Sequence, residues 1–217
     1  ENMTQLQLAR QNIITQEMKQ VAMDEDLDPE YIRERIADGK VVIPANHKRK
    51  ATKICGIGAG LRTKVNANIG TSADYPDVEN EMEKLRAAEE AGADAVMDLS
   101  TGGDLRAIRK KIIGSASIAV GSVPIYEAAV KTVQHKHAIV DMTATDMLEA
   151  IRLHCEDGVD FITVHCGATK GVLKHLKESK RICGVVSRGG TFLVEWMIHS
   201  GKENPLYEEY DEILAIA

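Results

Sequence analysis

The sequence has no cysteine pair at the CxxC spacing, no long apolar run and no excess of basic residues. Its four cysteines are Cys55, Cys155, Cys166 and Cys183, and their spacing does not form a metal-ligand pattern. We therefore expect reduced, mostly buried thiols and no metal site formed by this chain alone.

Other absences argue against a membrane, a secretory route and a nucleic-acid partner. No apolar run approaches the roughly 20 residues that span a bilayer, and the N-terminus has no basic segment followed by an apolar one. The net charge is -6 and acidic and basic residues are interspersed, whereas nucleic-acid phosphates favour a basic surface. We expect a cytoplasmic protein.

The composition is that of a globular protein, with 44% hydrophobic and 28% charged residues among 217. Its N-terminal part, residues 1–60, has its own pattern. Apolar residues recur at helical spacing from Leu6 onward, and Asp28-Pro29 is typical of a helix start with proline at the first position. This pattern predicts a small helical segment.

The second half of that segment predicts a hairpin. Val41–Pro44 and Lys53–Cys55 are short apolar runs that flank a basic turn at residues 47–50, and they can pair. Gly56–Gly60 precedes a strand instead of following one, so it does not fit a dinucleotide-binding loop. We expect Gly56–Gly60 to be a flexible connection.

Residues 61–217 show β-rich runs that alternate with helical segments, as βα units of a parallel sheet do. The predicted strands are Thr63–Gly70, Asp94–Ser100, Val120–Tyr126, Asp160–Cys166 and Gly184–Gly190. The predicted helices are Asp77–Ala91, Asp104–Ile113, Ala144–Glu156, Lys170–Glu178, Thr191–Ser200 and, at the end, Leu206–Leu214.

This pattern predicts an α/β fold with the first five or so units of a (β/α)8 TIM-type barrel. Such a barrel takes eight units, so we expect its remainder to lie outside this chain. An open doubly wound sheet is the alternative. It normally carries a phosphate-binding loop at its first βα turn, and Asn68–Ser72 is not one.

Polar residues stand at the end of every predicted strand. In a (β/α) barrel, the active-site groups cluster at these C-terminal strand ends. The pattern indicates one active-site mouth, although each residue alone can be a satisfied polar group at a strand end. The residues are Asn66, Asn68, Asp98, Ser100, Tyr126, His165, Ser187 and Arg188.

The segment Ser187–Gly190 is the best candidate for binding an anion. It lies between a predicted strand and a predicted helix, so backbone N–H groups and the positive end of the helix dipole would face a ligand. Arg188 adds a charged contact that suits phosphate. The alternative is a tight turn with a solvated arginine. His165 is either a core residue or a substrate contact.

Seven segments occur together, in order, and the set resembles the phosphomethylpyrimidine synthase (ThiC) family over essentially the whole chain. They are Thr4–Arg10 (TQLQLAR), Ile43–Asn46 (IPAN), Lys64–Gly70 (KVNANIG), Val96–Gly102 (VMDLSTG), Val123–Tyr126 (VPIY), Val186–Gly190 (VSRGG) and Lys202–Tyr207 (KENPLY).

This resemblance implies a radical-SAM lyase that converts 5-aminoimidazole ribotide to 4-amino-5-hydroxymethyl-2-methylpyrimidine phosphate in thiamine biosynthesis. It implies S-adenosylmethionine, a [4Fe-4S] cluster and a divalent metal, zinc or iron, as cofactors, and a homodimer. The residues that match the family's ribotide contacts are Asn68, Met97, Tyr126, His165, Ser187, Arg188 and Gly189.

The chain departs from the family in lacking its CxxCxxxxC cluster motif and the later acidic and histidine positions that bind substrate and metal. We therefore expect this chain alone to be inactive. Cys166 stands where the family is expected to have a small residue. Two alternatives stay open: a 5-hydroxybenzimidazole synthase that uses the same ribotide in cobamide synthesis, and a non-catalytic paralogue that binds a phosphosugar.

Overall fold

The structure is a computed structural model that describes residues 3–49, 53–136 and 138–217. This part of the chain begins with the helices α1 (Gln5–Arg10), α2 (Gln16–Asp24) and α3 (Pro29–Ala37). Thr4, Thr15 and Asp28 cap them, because each side chain accepts a hydrogen bond from a first-turn N–H. The predicted helix start at Asp28-Pro29 is confirmed.

A short antiparallel pair follows, formed by β1 (Val41–Val42) and β2 (Ile57–Gly58). The predicted pairing of Val41–Pro44 with Lys53–Cys55 is wrong, because the second strand lies inside the segment predicted as a flexible connection. A Cβ on Gly58 would clash with the backbone of Lys40, so only glycine permits this approach. Lys50, in the predicted basic turn, lies outside the described residues.

Four parallel strands form the main sheet and lie side by side in chain order: β3 (Asn66–Ile69), β4 (Ala95–Asp98), β5 (Ala119–Ser122) and β6 (Phe161–Ile162). The fold is therefore α/β. Helices connect the strands and continue after the last one: α4 (Val78–Glu90), α5 (Leu105–Ser115), α6 (Pro124–Lys136), α7 (Ala144–Asp157), α8 (Lys170–Glu178), α9 (Arg188–Ser200), α10 (Pro205–Glu208) and α11 (Tyr210–Ile216).

The helix ends follow from local chemistry. Asp77 accepts a hydrogen bond from Asn80 N–H at the start of α4, and Thr143 and Asp146 form a reciprocal capping box at α7. Gly158 ends α7 at a φ of 105°, which glycine adopts without the steric cost of a Cβ. These boundaries agree with the predicted ones within a few residues.

Three predicted strands differ from the structure. Asp160–Cys166 is a strand only at Phe161–Ile162, so His165 lies in the segment that follows it. Val120–Tyr126 ends as a strand at Ser122, because Pro124 has the φ that suits a first helical position and begins α6. Gly184–Gly190 is not a strand. Residues 184–187 are irregular, Ser187 caps α9, and Gly189 and Gly190 lie in the first turn of that helix. The predicted last helix is divided into α10 and α11.

The described residues form three apolar clusters. One lies among α1–α3 and β1, one between the sheet and α4 and α5, and one among α6, α7, α9 and the C-terminal helices. The second covers one face of the sheet with Ile69, Val96 and Val120. None of the helices in the described part of the chain combines the length and apolarity needed to cross a bilayer.

Candidate functional site

Asn68 and Met97 lie on the sheet face opposite to the one that α4 and α5 cover. Asn68 of β3 is the register partner of Met97 of β4, and register partners project from the same face. Asn68 is exposed, and its Oδ1 accepts a hydrogen bond of 2.9 Å from Asn66 Nδ2. Met97 is half-buried. The two residues therefore form one patch.

His165 follows β6 and contacts the start of α9. Its Nε2 lies 3.0 Å from Ser187 Oγ, and a Cβ on Gly189 would clash with the imidazole ring. Burial lowers the pKa of His165, which favours a neutral ring at neutral pH. Its Nδ1 is buried, and no described residue bonds to it. Ser187, Gly189 and His165 thus pack as one group.

The start of α9 has the geometry of an anion-binding helix end. Ser187 Oγ accepts a hydrogen bond of 3.2 Å from Gly190 N–H, whereas the N–H groups of Arg188 and Gly189, the first two of the helix, have no partner within it. The helix dipole places partial positive charge here. Arg188 is exposed and Gly189 is buried. A negatively charged ligand would therefore be stabilised at this position.

Arg188 and Tyr126 stack. The Arg188 Cζ lies 5.0 Å from the centroid of the Tyr126 ring, and Tyr126 meets Phe192 edge-on, with ring centroids 6.2 Å apart. Tyr126 lies in the first turn of α6 and not at a strand end, which corrects the prediction. When a guanidinium stacks on an aromatic ring, its N–H groups stay available for hydrogen bonds in the plane of the guanidinium.

The seven predicted residues therefore form two groups. Asn68 and Met97 are one, and the five residues at α6, α9 and His165 are the other. Thr163 lies between them, because its Oγ1 is 3.8 Å from Met97 Sδ and it precedes His165 by two positions.

Sequence reasoning missed a polar cluster on the helix-covered side of the sheet. Ser122 Oγ lies 2.7 Å from His154 Nδ1, His154 Nε2 lies 2.8 Å from Glu127 Oε2, and Arg109 Nη1 lies 2.5 Å from the same oxygen. Burial would raise the pKa of Glu127, but contacts with His154, Lys131 and Arg109 hold it well below its usual range. Burial lowers the pKa of His154.

That cluster resembles a catalytic Ser–His–acid arrangement only in the order in which the side chains contact one another. Ser122 is 1% exposed, so a substrate carbonyl cannot reach its hydroxyl. We therefore assign the cluster a structural role in joining β5, α5, α6 and α7. No local pattern predicts it, because its members come from four elements.

The described cysteines do not fit an iron–sulfur cluster. Cys155 of α7 and Cys55 and Cys166, in separate connecting segments, are partly buried, and Cys183 is exposed. Burial raises the pKa of Cys55 and of Cys155, which disfavours the thiolate that binds metal. Among the described residues, no group of three or more histidine, cysteine or acidic side chains is placed to hold a metal ion.

The family model of the radical SAM ThiC family matches residues 4–217. The chain belongs to this family. Membership in the radical SAM ThiC family implies a [4Fe-4S] cluster and S-adenosylmethionine, whereas the described residues do not form a cluster site.

Named relatives agree with the family. Phosphomethylpyrimidine synthases from Desulforamulus reducens and from Dehalococcoides mccartyi strain CBDB1 are each 53% identical to this chain over 214 residues. The synthase from Moorella thermoacetica is 51% identical over 215 residues. Each alignment covers 99% of this chain and 50% of the relative. The chain thus spans about half the length of the curated relatives that it matches.

Proposed function

We propose that the protein carrying this chain converts 5-aminoimidazole ribotide to 4-amino-5-hydroxymethyl-2-methylpyrimidine phosphate, and that this chain supplies part of the ribotide site. The observation that carries the proposal is the family match over residues 4–217. The names of the relatives support the same reaction. We also propose that the parallel sheet is part of a closed (β/α) barrel, in a cytoplasmic homodimer.

The phosphate of the ribotide is assigned to the start of α9. The free first-turn N–H groups of Arg188 and Gly189 point toward the N-terminal side of the helix, where they suit phosphate oxygens. The Arg188 guanidinium adds charge, and its stacking on Tyr126 restricts the side chain before the ligand arrives. This pre-organisation lowers the entropic cost of binding.

The remaining residues are assigned to the imidazole and the ribose. His165 has a lowered pKa because of burial, so it meets the substrate as a neutral ring that can both donate and accept a hydrogen bond. Asn68 offers an exposed amide, and Met97 offers a polarisable surface on the same sheet face. Their role is to bind and orient the ribotide.

The cluster, S-adenosylmethionine and a divalent metal, zinc or iron, belong to the proposal for the whole protein. The described residues do not fit the cluster or the metal, so no step is assigned to them through these groups. What this chain contributes is substrate binding.

Product analysis tests the reaction. The full protein that carries this chain, reconstituted with iron and sulfide and supplied with S-adenosylmethionine and a reductant, is incubated with the ribotide. The expected product has the mass of the hydroxymethylpyrimidine phosphate. A product with the mass of 5-hydroxybenzimidazole, or tight ribotide binding without turnover, would contradict the proposal and favour one of the two alternatives.

Calorimetric titration tests the site. Arg188→Ala is expected to weaken ribotide binding roughly 10- to 100-fold, as for loss of a charge-assisted hydrogen bond. Arg152→Ala is the matched control, because Arg152 is an exposed arginine of α7 that pairs with Glu212. Equal affinities in both variants would refute the assignment of the phosphate to α9.

A further inference from the structure

Asn204, between α9 and α10, is completely buried, and its side chain links two loops. Its Nδ2 donates hydrogen bonds to the carbonyl oxygens of His165 at 2.9 Å and Ala168 at 3.0 Å. Its Oδ1 accepts a hydrogen bond of 3.0 Å from Leu206 N–H and so caps α10. Both amide hydrogens of Asn204 are therefore used to hold the loop that follows β6.

The neighbouring residue strengthens the same link. Glu203 accepts hydrogen bonds from Lys170 N–H, at 3.0 Å and 3.3 Å to its two carboxylate oxygens, and from Asn204 N–H at 2.8 Å. The Lys170 ammonium returns a hydrogen bond to the carbonyl oxygen of Gly201. Hydrogen bonds donated by each segment therefore join residues 165–170 to residues 201–204.

The position of the His165 imidazole depends on this link between residues 165–170 and 201–204. Its only side-chain hydrogen bond within the described residues is the contact with Ser187 Oγ, and its buried Nδ1 has no partner there. The ring also lies so close to Gly189 that a small backbone shift would lose or crowd the contact. The position of the ring therefore depends on how firmly its main chain is held.

We propose that Asn204 is a positioning residue for substrate binding. It fixes the carbonyl groups of His165 and Ala168, and thereby keeps the His165 imidazole against Ser187 and Gly189. This role rests on the proposed function, because the ribotide is the ligand that His165 would meet.

Asn204→Ser is the informative variant. Serine retains a good N-cap oxygen for Leu206 N–H, but its side chain is too short to reach both carbonyl groups. Asn204→Asp is a second variant, which conserves size and the cap while removing both amide donors. The test uses the full protein that carries this chain.

Asn46→Ser is the matched control. Asn46 Nδ2 also bridges two carbonyl groups, those of Cys155 at 2.8 Å and Val159 at 3.0 Å, and its Oδ1 also accepts from the N–H two positions later, in Lys48. Within the described residues, Asn46 hydrogen-bonds to the end of α7 and to Asp160, and not to His165. Both variants lose the same kind of bridge.

The ligand-free readout is the imidazole ¹H–¹³C NMR signal of His165, assigned by comparison with His165→Gln. Asn204→Ser and Asn204→Asp are expected to shift this signal toward that of the exposed His199, whereas Asn46→Ser leaves it in place. An unchanged His165 signal in folded Asn204 variants would overturn the proposal. Because this readout needs no ribotide, it decides the positioning role even if the proposed function fails.

The second readout is ribotide affinity. Asn204→Ser is expected to raise the Kd about tenfold, while Asn46→Ser changes it less than about twofold. In a His165→Ala background, Asn204→Ser should have no further effect, because it acts through that side chain. The same tenfold loss with and without His165 would contradict positioning. Absence of ribotide binding to the unsubstituted protein would instead refute the proposed function.

Discussion

At the scale of single residues, two glycines at equivalent helix positions have different surroundings. Gly189 and Gly171 each occupy the second position of a helix, α9 and α8, after a capping Ser187 or Thr169. A Cβ on Gly189 would clash with the His165 ring, whereas a Cβ on Gly171 would lie 3.7 Å from Thr169 Oγ1, an ordinary contact. Only the glycine of α9 is required for a close approach.

Gly189→Ala is expected to displace the imidazole of His165 and to weaken ribotide binding by about tenfold or more. Gly171→Ala should leave binding unchanged and raise the free energy of unfolding by about 0.5–1 kcal/mol, because alanine favours the helix. Calorimetric titration and urea unfolding of both variants measure the two effects. A Gly189→Ala protein that binds as well as Gly171→Ala would show that the close approach is not needed.

Protonation of the single residue His154 should make the stability of the fold depend on pH. Burial lowers its pKa in the folded protein below the ordinary value of 6.5, although the contact with Glu127 acts in the opposite direction. The unfolded chain therefore binds more protons as the pH falls. The stabilisation that His154 contributes is complete above pH 6.5 and is lost as the pH falls from there through the folded-state pKa.

We expect the free energy of unfolding of the unsubstituted protein to fall more steeply, as the pH decreases below about 6.5, than that of His154→Gln, which has no ring to protonate. His199→Gln, at an exposed position of α9, should keep the steep dependence. Urea unfolding at several pH values compares the slopes. Parallel curves for His154→Gln and the unsubstituted protein would contradict the burial effect.

At the scale of helices, Arg109 joins α5 to α6 and α7. Its guanidinium contacts Glu127 at 2.5 Å and Asp157 at 2.7 Å, and its side chain is 2% exposed. Arg106, one turn earlier on α5, contacts the same Asp157 at 2.8 Å, but its side chain is 48% exposed. The two arginines therefore differ in burial and also in ion pairs, since Arg109 forms two and Arg106 forms one.

Arg109→Met should lower the free energy of unfolding by about 3–5 kcal/mol, because it leaves two buried carboxylates with weaker partners. Arg106→Met should cost much less, because solvent screens an exposed ion pair. Chemical denaturation of both variants provides the comparison. Similar losses in the two would refute the argument from burial.

At the scale of the whole molecule, the segment at residues 43–49 ties the N-terminal helices to the sheet. Arg49 forms an ion pair with Asp160, and its Nη2 donates to the carbonyl oxygens of Ala116 and Ile118 at 2.5 Å and 2.9 Å. The Arg49 and Asp160 side chains are 6% and 1% exposed. One side chain therefore links the start of β5 to the start of β6.

Arg49→Met should lower the free energy of unfolding by about 3–5 kcal/mol, because Asp160 stays buried without its charged partner. Hydrogen exchange should quicken at the amides of α1–α3 as well as at the strand starts. Lys48→Met, which removes an exposed contact of 3.3 Å with the Glu156 carbonyl, is the control. Unchanged exchange in α1–α3 would mean that the N-terminal helices are held by other contacts.

Much of the secondary structure was predictable from short patterns. Asp28, Asp77 and Thr143 mark helix starts because a side-chain oxygen satisfies a first-turn N–H only a few residues away. The run Val120–Tyr126 was wrongly predicted as a strand to its end, because the apolar pattern does not show that a helix begins at Pro124. Gly184–Gly190 was predicted as a strand, but a strand needs a partner, and Gly189 and Gly190 lie in α9 instead.

The candidate site was likewise predictable only in part from the sequence. The seven predicted residues came from strand ends and family motifs, which are visible in the sequence. Asn204 was visible only as part of the family motif Lys202–Tyr207, and its bridge to His165 was not visible, since 39 positions separate the two residues. The contact of Arg188 with Tyr126 likewise depends on how α9 packs on α6.

The sequence by itself determined the alternation of helices and strands, several helix starts and the family, because capping, proline geometry and motif order act over a few neighbouring residues. Only the tertiary structure decided which polar groups meet. Arg49 reaches Asp160 across 111 positions, and Ser122, His154, Glu127 and Arg109 converge from four elements. Such contacts arise when buried apolar faces bring distant segments together, and no local pattern records that packing.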